Sequence, residues 1–256
     1  MNDSRTRTIL ALGAAAFLAL AATGCDPDVD RANTTPESKS FRFGGDSLTV
    51  RSNSADLHLV ASDVDDVEVE RRVSGTKIGG EIAAGWQLEN GILTLSVDCD
   101  GVSVNCRAQY TVKVPRDVAV TAEYGNSDVR LSNLGGVALH LEGRDGTVRG
   151  EGISATSVSV VSRNGDTDLD LTSVPDRVDV RSQDGHVRLG LPASAYAVRT
   201  AAKKGDVTVD VVDDGTSSHS VNVRTRNGDI HISEGDTPLG VREVVSPGRG
   251  PHSREP

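Results

Sequence analysis

The chain has 256 residues, a formal net charge of −10 at pH 7 and aromatic side chains at only 3% of its positions. The acidic balance argues against a nucleic-acid-binding protein, which needs a basic face. The shortage of aromatic rings argues against sugar recognition by stacking, since Trp86 is the only tryptophan. Trp86 is expected to pack inside the domain instead.

The first residues have the three-part form of an export signal. Two arginines precede an uncharged apolar run from Ile9 to Ala22, and small residues then lead to Cys25. The run is 14 residues long, whereas a membrane-spanning helix needs roughly 20. Residues 1–24 are therefore predicted to be a signal peptide rather than a permanent anchor.

The stretch AATGC, which ends at Cys25, resembles a bacterial lipobox. The resemblance implies cleavage before Cys25, acylation of that cysteine and an extracytoplasmic protein anchored to the cell membrane as a lipoprotein. Each buried methylene group of a lipid chain contributes about 0.8 kcal/mol, so two or more chains hold a protein durably. The alternative is a secreted protein without a lipid.

Polar segments flank the central region. Residues 25–40 are rich in Asp, Ser, Thr and Pro and too poor in apolar groups to form a core, which predicts a disordered tether. Residues 235–256 are predicted to be a disordered tail. The domain is expected to span residues 41–234, which is long enough for one continuous core.

The start of this domain is less regular than the rest. Residues 47–73 alternate in polarity and are predicted to form an opening coil, and the following segment is expected to cover the end of the domain. That segment contains Cys99 and Cys106, an even pair that predicts a disulfide contributing on the order of 2.5 kcal/mol. No second Cys or His pair lies nearby, so no metal site is expected.

From about residue 120, glycines recur after alternating strands at an interval near 20 residues. Alternation, as in GDVTVDV at 205–211, indicates a strand with one buried face. The aligned position of the preceding strand lies five residues before the glycine in each repeat except the second, which has two extra residues; that position is apolar in all repeats but the one with Thr200. The aligned glycines are Gly125, Gly146, Gly165, Gly185, Gly205 and Gly228.

Two arrangements fit this repeat. Asn-Gly and Asp-Gly favour tight hairpins, which predict an antiparallel meander. Near-identical units instead favour stacked coils, in which equivalent residues align and glycine occupies the corner. We favour an all-β, single-domain β-solenoid, similar to a parallel β-helix, with about 20 residues per coil and an irregular N-terminal strand region.

YTVKVP at 110–115, followed by units that end in Gly-Asp and an alternating strand, resembles a family of bacterial adhesin-like β-strand-repeat proteins. The resemblance extends over about residues 45–233 and depends on the series of repeats rather than on one motif. It implies an envelope-associated β-solenoid and supplies no catalytic residues.

Motifs for chemistry are weak. Residues 45–48, GDSL, match the signature block of a lipase and esterase family, but the Asp-x-x-His pattern and the helix after the serine are missing. The six histidines are scattered without metal spacing. Outward aspartates are expected to keep strands soluble rather than to bind calcium; they are Asp166, Asp168, Asp170, Asp206, Asp210 and Asp229.

These patterns predict a non-catalytic lipoprotein without a cofactor, whose solenoid surface serves binding or scaffolding in the cell envelope. Besides the membrane, the expected partner is another envelope protein or a wall polymer, and not nucleic acid. Two alternatives stay open: a polysaccharide-acting enzyme on a β-helical scaffold, and a calcium-binding envelope protein.

Overall fold

The computed structural model describes residues 30–31, 35–78, 82–99 and 102–235. The predicted signal peptide, Cys25 and residues 236–256 lie outside the described residues. Within the described ranges every regular element is a strand. No helix of membrane-spanning length and apolarity therefore occurs in that part of the chain.

The irregular N-terminal region contributes the first eight strands. They are β1 Asp30–Arg31, β2 Glu37–Phe41, β3 Ser47–Ser52, β4 Asp56–Ser62, β5 Val67–Ile78, β6 Ile82–Glu89, β7 Ile92–Cys99 and β8 Val102–Pro115.

The repeats contribute the remaining strands, which are shorter. They are β9 Ala119–Asn126, β10 Val129–Ser132, β11 Ala138–Asp145, β12 Val148–Ile153, β13 Ser157–Asn164, β14 Thr167–Leu171, β15 Arg177–Asp184, β16 Val187–Leu191, β17 Ala195–Lys204, β18 Val207–Asp210, β19 Val212–Asp213, β20 Ser220–Asn227 and β21 Ile230–Glu234.

The strands form two large sheets. The first sheet has the order β1-β5-β8-β4-β10-β12-β14-β16-β21-β18, with β2 also paired to β5. The second sheet has the order β19-β17-β20-β15-β13-β11-β9-β3-β7-β6. Each repeat therefore contributes one strand to each sheet, and we call such a pair of strands with its turn a unit.

The pairing between units is parallel. β13 pairs in parallel with β11 and β15, and β14 pairs in parallel with β12 and β16. The alternative of an antiparallel meander is therefore wrong for the repeats. Two mostly parallel sheets, joined at every turn, are consistent with the predicted β-solenoid.

The pairing register corrects the alignment of the first repeat. Asn126 pairs with Asp145, which puts Ser127, and not Gly125, level with the turn glycine Gly146. A serine thus occupies the first turn position, where every later repeat has glycine. Gly125 lies two residues before Ser127, so it is not the turn residue of the first repeat.

The apparent extra residues of the second repeat disappear for the same reason. Leu141, and not Leu139, is level with Val160 of the third repeat. Leu141 lies five residues before Gly146, which is the spacing of all the other repeats. Every repeat therefore keeps the same distance from its inward residue to its turn.

The units do not stack in chain order at either end. The unit of β3 and β4 lies between that of β7 and β8 and that of β9 and β10. At the other end the unit of β20 and β21 lies between that of β15 and β16 and that of β17 and β18. The predicted opening coil at 47–73 is therefore partly internal, since only β5 lies at the end.

Antiparallel strands cover one end of the stack. β5 pairs with β8 and β6 with β7. Asn90 and Gly91, which connect β6 to β7, have φ values of 50° and 74°, as a two-residue hairpin turn requires. The disulfide between Cys99 and Cys106, whose Cα atoms are 6.3 Å apart, joins β7 to β8. The cysteine-containing segment thus covers this end, as the sequence predicts.

Trp86 packs at the covered end. The guanidinium of Arg71 lies 4.2 Å from the centroid of its ring, and the ring of Tyr110 meets it edge-on at 6.5 Å. The Tyr110 hydroxyl lies 2.9 Å from the carbonyl oxygen of Gly85, and burial raises its pKa. Trp86 is therefore part of the packing and does not form an exposed platform.

Aliphatic side chains fill the space between the two sheets. Val158, Val178 and Val221 lie side by side on adjacent parallel strands, and each is 0% exposed. Burying one such side chain contributes about 1.5–3 kcal/mol. Because every unit repeats this row, the apolar interior is continuous along the stack.

Two strands lie inside the predicted tether of residues 25–40. β1 and β2 both pair antiparallel with β5, and Glu37 forms an ion pair with Arg71 at 2.7 Å. The side chains from Glu37 to Ser40 are exposed. Backbone pairing holds β2 in place although its side chains are exposed, which is why its composition gave no sign of a strand. Residues 30–31 and 37–40 of the predicted tether are strand residues in the structure.

Candidate functional site

The aspartates near the turns have structural contacts. The carboxylate of Asp128 accepts a hydrogen bond from the backbone N–H of Thr147 at 2.8 Å. The carboxylate of Asp166 does the same for His186 at 2.8 Å. In both cases the side chain of one unit caps the next unit, which gives the aspartate of the Gly-Asp repeat a role in stacking.

Amides and carboxylates alternate at the position before the turn. Amide groups of Asn164 and Asn227 donate to the carboxylates of Asp145 and Asp184. No group of three or more His, Cys, Asp or Glu side chains in the described residues is placed to hold a metal ion. The alternating row is Asn126, Asp145, Asn164, Asp184 and Asn227, and Lys204 occupies the same position in the last unit.

The described histidines lie apart from one another. His58 Nε2 is 3.0 Å from Ser132 Oγ, and burial, together with the nearby Arg130, lowers the pKa of His58. His219 Nδ1 is 2.9 Å from the carbonyl oxygen of Pro175. His58 Nε2 and His219 Nδ1 are therefore both within hydrogen-bond distance of a protein oxygen.

The GDSL block lies in a strand. Ser47 is the first residue of β3 and pairs with Ala119, and Leu48 is 1% exposed in the core. A nucleophilic serine of this block needs a helix after it, and β3 occupies that position. The structure therefore gives Ser47 the context of a sheet residue.

The outer surface of the second sheet is basic. Exposed cationic side chains project from β11, β13, β15, β17 and β20, all outside the apolar interior. Arg181 and Arg224, for example, are direct neighbours on β15 and β20. We call this surface the arginine face, and it consists of Arg144, Arg163, Arg177, Arg181, Arg199, Lys203, Arg224 and Arg226.

One buried carboxylate organises the arginine face. Asp179 is 7% exposed. Arg177 donates to its Oδ2, and a guanidinium nitrogen of Arg181 lies 3.8 Å from its Oδ1. Because burying an unpaired charge is unfavourable, Asp179 holds these two guanidinium groups in place beside it.

A shallow depression of about 330 Å³ lies over this cluster. Arg177, Arg181, Arg199 and Arg224 line it together with polar side chains of β20. Arg199 and Arg224 form no ion pair with any residue that the structure describes. Guanidinium groups offer paired donors that match phosphate and carboxylate oxygens, so the depression suits an anionic group.

The positive charge of the arginine face dominates close to that surface, although the chain has a net charge of −10. Salt screens charges that are more than about 8–10 Å apart at physiological ionic strength. An anion on the face therefore interacts mainly with the nearby arginines, and only weakly with the aspartates of the turns.

The sequence predictions for sites have different outcomes. Cys25 lies outside the described residues and stays a prediction. Cys99 and Cys106 form the expected disulfide. The arginine face was missed, because its members are spread over residues 144–226 and become neighbours only once the units are stacked in their actual order. Tabulating outward residues by turn position would have revealed the excess of arginine.

These features define the class of the protein: an all-β repeat protein with two mostly parallel sheets and a charged outer face. The family described as Toastrack DUF4097 matches residues 44–243. The match covers most of the chain, and the chain belongs to this family. The resemblance to bacterial adhesin-like proteins is thereby confirmed.

Two solved structures are similar to the chain. The chain is similar to a putative cell adhesion protein from Clostridium sporogenes ATCC 15579, with 12% identity, a TM-score of 0.45 and coverage of 78% of this chain and 100% of that one. It is also similar to a putative adhesin from Bacteroides fragilis NCTC 9343, with 12% identity, a TM-score of 0.41 and coverage of 78% and 98%. No curated protein matches the chain.

Proposed function

We propose that the protein is a non-catalytic lipoprotein of the bacterial cell envelope whose β-solenoid binds an anionic wall polymer through the arginine face. Cys25 carries the lipid, and the residues between Cys25 and β1 tether the domain to the outer face of the membrane. The observation that supports the binding surface most directly is the group of exposed arginines on one sheet of an acidic chain.

The spacing of the arginine face suits a polymer. Neighbouring strands of a sheet are about 4.8 Å apart, and alternate residues along a strand are separated by about 6.6 Å. A chain that carries an anionic group on each monomer can therefore contact several guanidinium groups at once. Simultaneous contacts raise the overall affinity well above that of one contact.

The carboxylates favour binding over the two alternatives. A sugar-cleaving enzyme needs two carboxyl groups facing the scissile bond, whereas Asp179 is held between Arg177 and Arg181. Calcium takes six to eight oxygen ligands, whereas Asp145 and Asp184 accept hydrogen bonds from neighbouring amides. These contacts support a binding protein without a catalytic or calcium-binding role.

Reversing two charges tests the binding surface. We expect Arg199→Glu combined with Arg224→Glu to weaken binding to polygalacturonate and polyphosphate by roughly tenfold or more, since hydrogen bonds between charged groups contribute about 1.5–3 kcal/mol each. The measurement is calorimetric titration, with neutral dextran as the reference polymer.

The matched control changes the same charges on the first sheet. Arg149→Glu combined with Arg188→Glu also replaces two exposed arginines and is expected to leave the affinity nearly unchanged. An equal loss in both variants would mean that only the net charge matters. Absence of polyanion binding by the unaltered protein would reject the proposed ligand class.

The anchor has a separate test. We expect labelled palmitate to be incorporated by the unaltered protein and not by Cys25→Ala. Lipid incorporation into Cys25→Ala would contradict the assignment of Cys25, whatever the outcome for the arginine face.

A further inference from the structure

The end of the stack opposite the disulfide is not covered in the described part of the chain. Among the described strands, β18 pairs only with β21. β17 pairs with β20 on one side, and on the other side only its first two residues pair with β19. Free strand edges of this kind readily accept another strand.

The free backbone groups of β17 can be identified from its hydrogen bonds. The N–H of Val198 points to the free side, where it donates to the carboxylate of Asp213 at 3.1 Å. Because peptide directions alternate along a strand, Thr200 and Ala202 present their N–H and C=O groups to the same side. No described strand pairs with them there.

The same reasoning applies to β18. The carbonyl oxygen of Asp206 accepts a hydrogen bond from Ile230 at 2.8 Å, so it faces β21. Val207 and Val209 therefore present their backbone groups to the free side. Both strands of the last unit thus offer two residues each for pairing.

The inner row of the last unit is incompletely buried. Val207 is 43% exposed, whereas its neighbour Ile230 in the preceding unit is 1% exposed. Val209 and Val211 are only partly buried against the core. Covering these valines would remove apolar surface from water, which is favourable.

The two free strands carry opposite charges on their outer sides. Arg199 and Lys203 are exposed on β17, and Asp206 and Asp210 are exposed on and beside β18. A surface with positive charge on one strand and negative charge on the other can complement a second copy of itself.

We propose that the open edge is a self-association site, at which two copies of this chain dock end to end. The two-fold axis runs along the strand direction and between the two sheets. Such an axis keeps each strand's direction and exchanges the sheets, so β17 of one copy meets β18 of the other. β17 and β18 run in opposite directions from the turn at Gly205, and the new pairing is therefore antiparallel.

The free backbone groups determine the register. Antiparallel pairing engages all four free residues in only one alignment of the two strands. The free residues Thr200 and Ala202 then pair with Val209 and Val207 of the second copy. The opposite charges meet as well, with Arg199 opposite Asp210 and Lys203 opposite Asp206.

Pairing β17 with its own copy is less favourable. Antiparallel pairing of two β17 strands brings Arg199 and Lys203 of one copy close to the same residues of the other. Like charges on directly opposed residues destabilise a pair of strands. The charges therefore select the pairing of β17 with β18.

One consequence rests on the proposed function. The predicted anchor at Cys25 precedes β2, which lies on β5 at the covered end. The dimer therefore carries its two anchors at opposite ends, on the order of 80 Å apart for sixteen stacked units. Such a dimer is suited to joining two envelope surfaces.

Charge exchange tests the dimer in the chain from residue 26 onward, which keeps every described residue. We expect sedimentation equilibrium to give the mass of a dimer for this chain at micromolar concentration. Asp206→Lys with Asp210→Lys, and separately Arg199→Asp with Lys203→Asp, are each expected to be monomeric. Mixing the two variants restores opposite charges at both contacts and is expected to restore a dimer.

Several outcomes would overturn the proposal: a monomeric unaltered chain, variants that stay dimeric alone, or a mixture that stays monomeric. A chain ending at Gly235 tests whether residues 236–256 occupy the edge instead. Dimerisation only after that truncation would also overturn it. Polyanion binding by Asp206→Lys with Asp210→Lys, which leaves the arginine face intact, separates failure of the dimer from failure of the proposed function.

Discussion

The turn glycines stack on one another with very little space between units. Gly165, Gly185 and Gly228 have φ values of 114°, 148° and 141°, which favour glycine. A Cβ atom on Gly185 would lie 2.1 Å from the carbonyl oxygen of Gly165. Both the backbone conformation and the close approach of the next unit therefore require glycine.

Gly185→Ala is accordingly expected to lower the free energy of unfolding by about 2–3 kcal/mol, because strained backbone and a backbone clash add together. Chemical denaturation measures this change. Gly215→Ala is the control, since nothing lies within 4 Å of its Cβ position, and its effect should stay within about 0.5 kcal/mol. Equal effects of the two changes would contradict the close stacking of the turns.

His58 makes stability depend on pH. Burial and the nearby Arg130 lower the pKa of His58 below its ordinary value of 6.5. As the pH falls below about 6.5, the unfolded chain binds a proton at this position before the folded chain does, so folding stability decreases.

We expect His58→Gln to reduce the loss of unfolding free energy between about pH 7 and pH 5, the range in which an ordinary histidine titrates. His231→Gln, at an exposed position on β21, is the control. If both variants keep the full pH dependence of the unaltered protein, His58 is not the group responsible.

Strands were predictable where they bury an alternating face, and less so at edges. The repeats from β11 onward follow the alternation in the sequence, because each buries one row of aliphatic side chains. β2 has exposed side chains and depends on backbone pairing to β5, so no periodicity marked it. Asn-Gly forms a hairpin turn at Asn90 and Gly91, where both φ values are positive, whereas the Asn-Gly turns of the repeats join strands of different sheets.

The disulfide stabilises the covered end. It closes a loop between β7 and β8 with a sequence separation of 7. Replacing Cys99 and Cys106 together by serine is expected to lower the free energy of unfolding by about 2.5 kcal/mol, because the unfolded chain regains loop entropy. Reduction of the unaltered protein provides the comparison. Unchanged stability in both cases would contradict a structural role for the disulfide.

At the scale of the molecule, the sequence indicated stacked parallel units but not their order. Sequence similarity between repeats is the same whichever unit lies next to which, because the inward row of valines fits any neighbour. The position of β20 between β15 and β17 depends on long-range pairing. The arginine face depends on that order too, since Arg224 lies beside Arg181 only in this arrangement.

Thiol crosslinking tests the order of the units most directly. Arg181 and Arg224 lie on neighbouring strands, whereas Ala201 lies one strand further, beside Arg224. The experiment uses the chain from residue 26 onward. Adjacent strands are about 5 Å apart, so we expect a reagent of that span to link Arg181→Cys with Arg224→Cys. The same reagent should not link Arg181→Cys with Ala201→Cys. Efficient linking of the second pair but not the first would mean that the units stack in chain order, and would contradict the account.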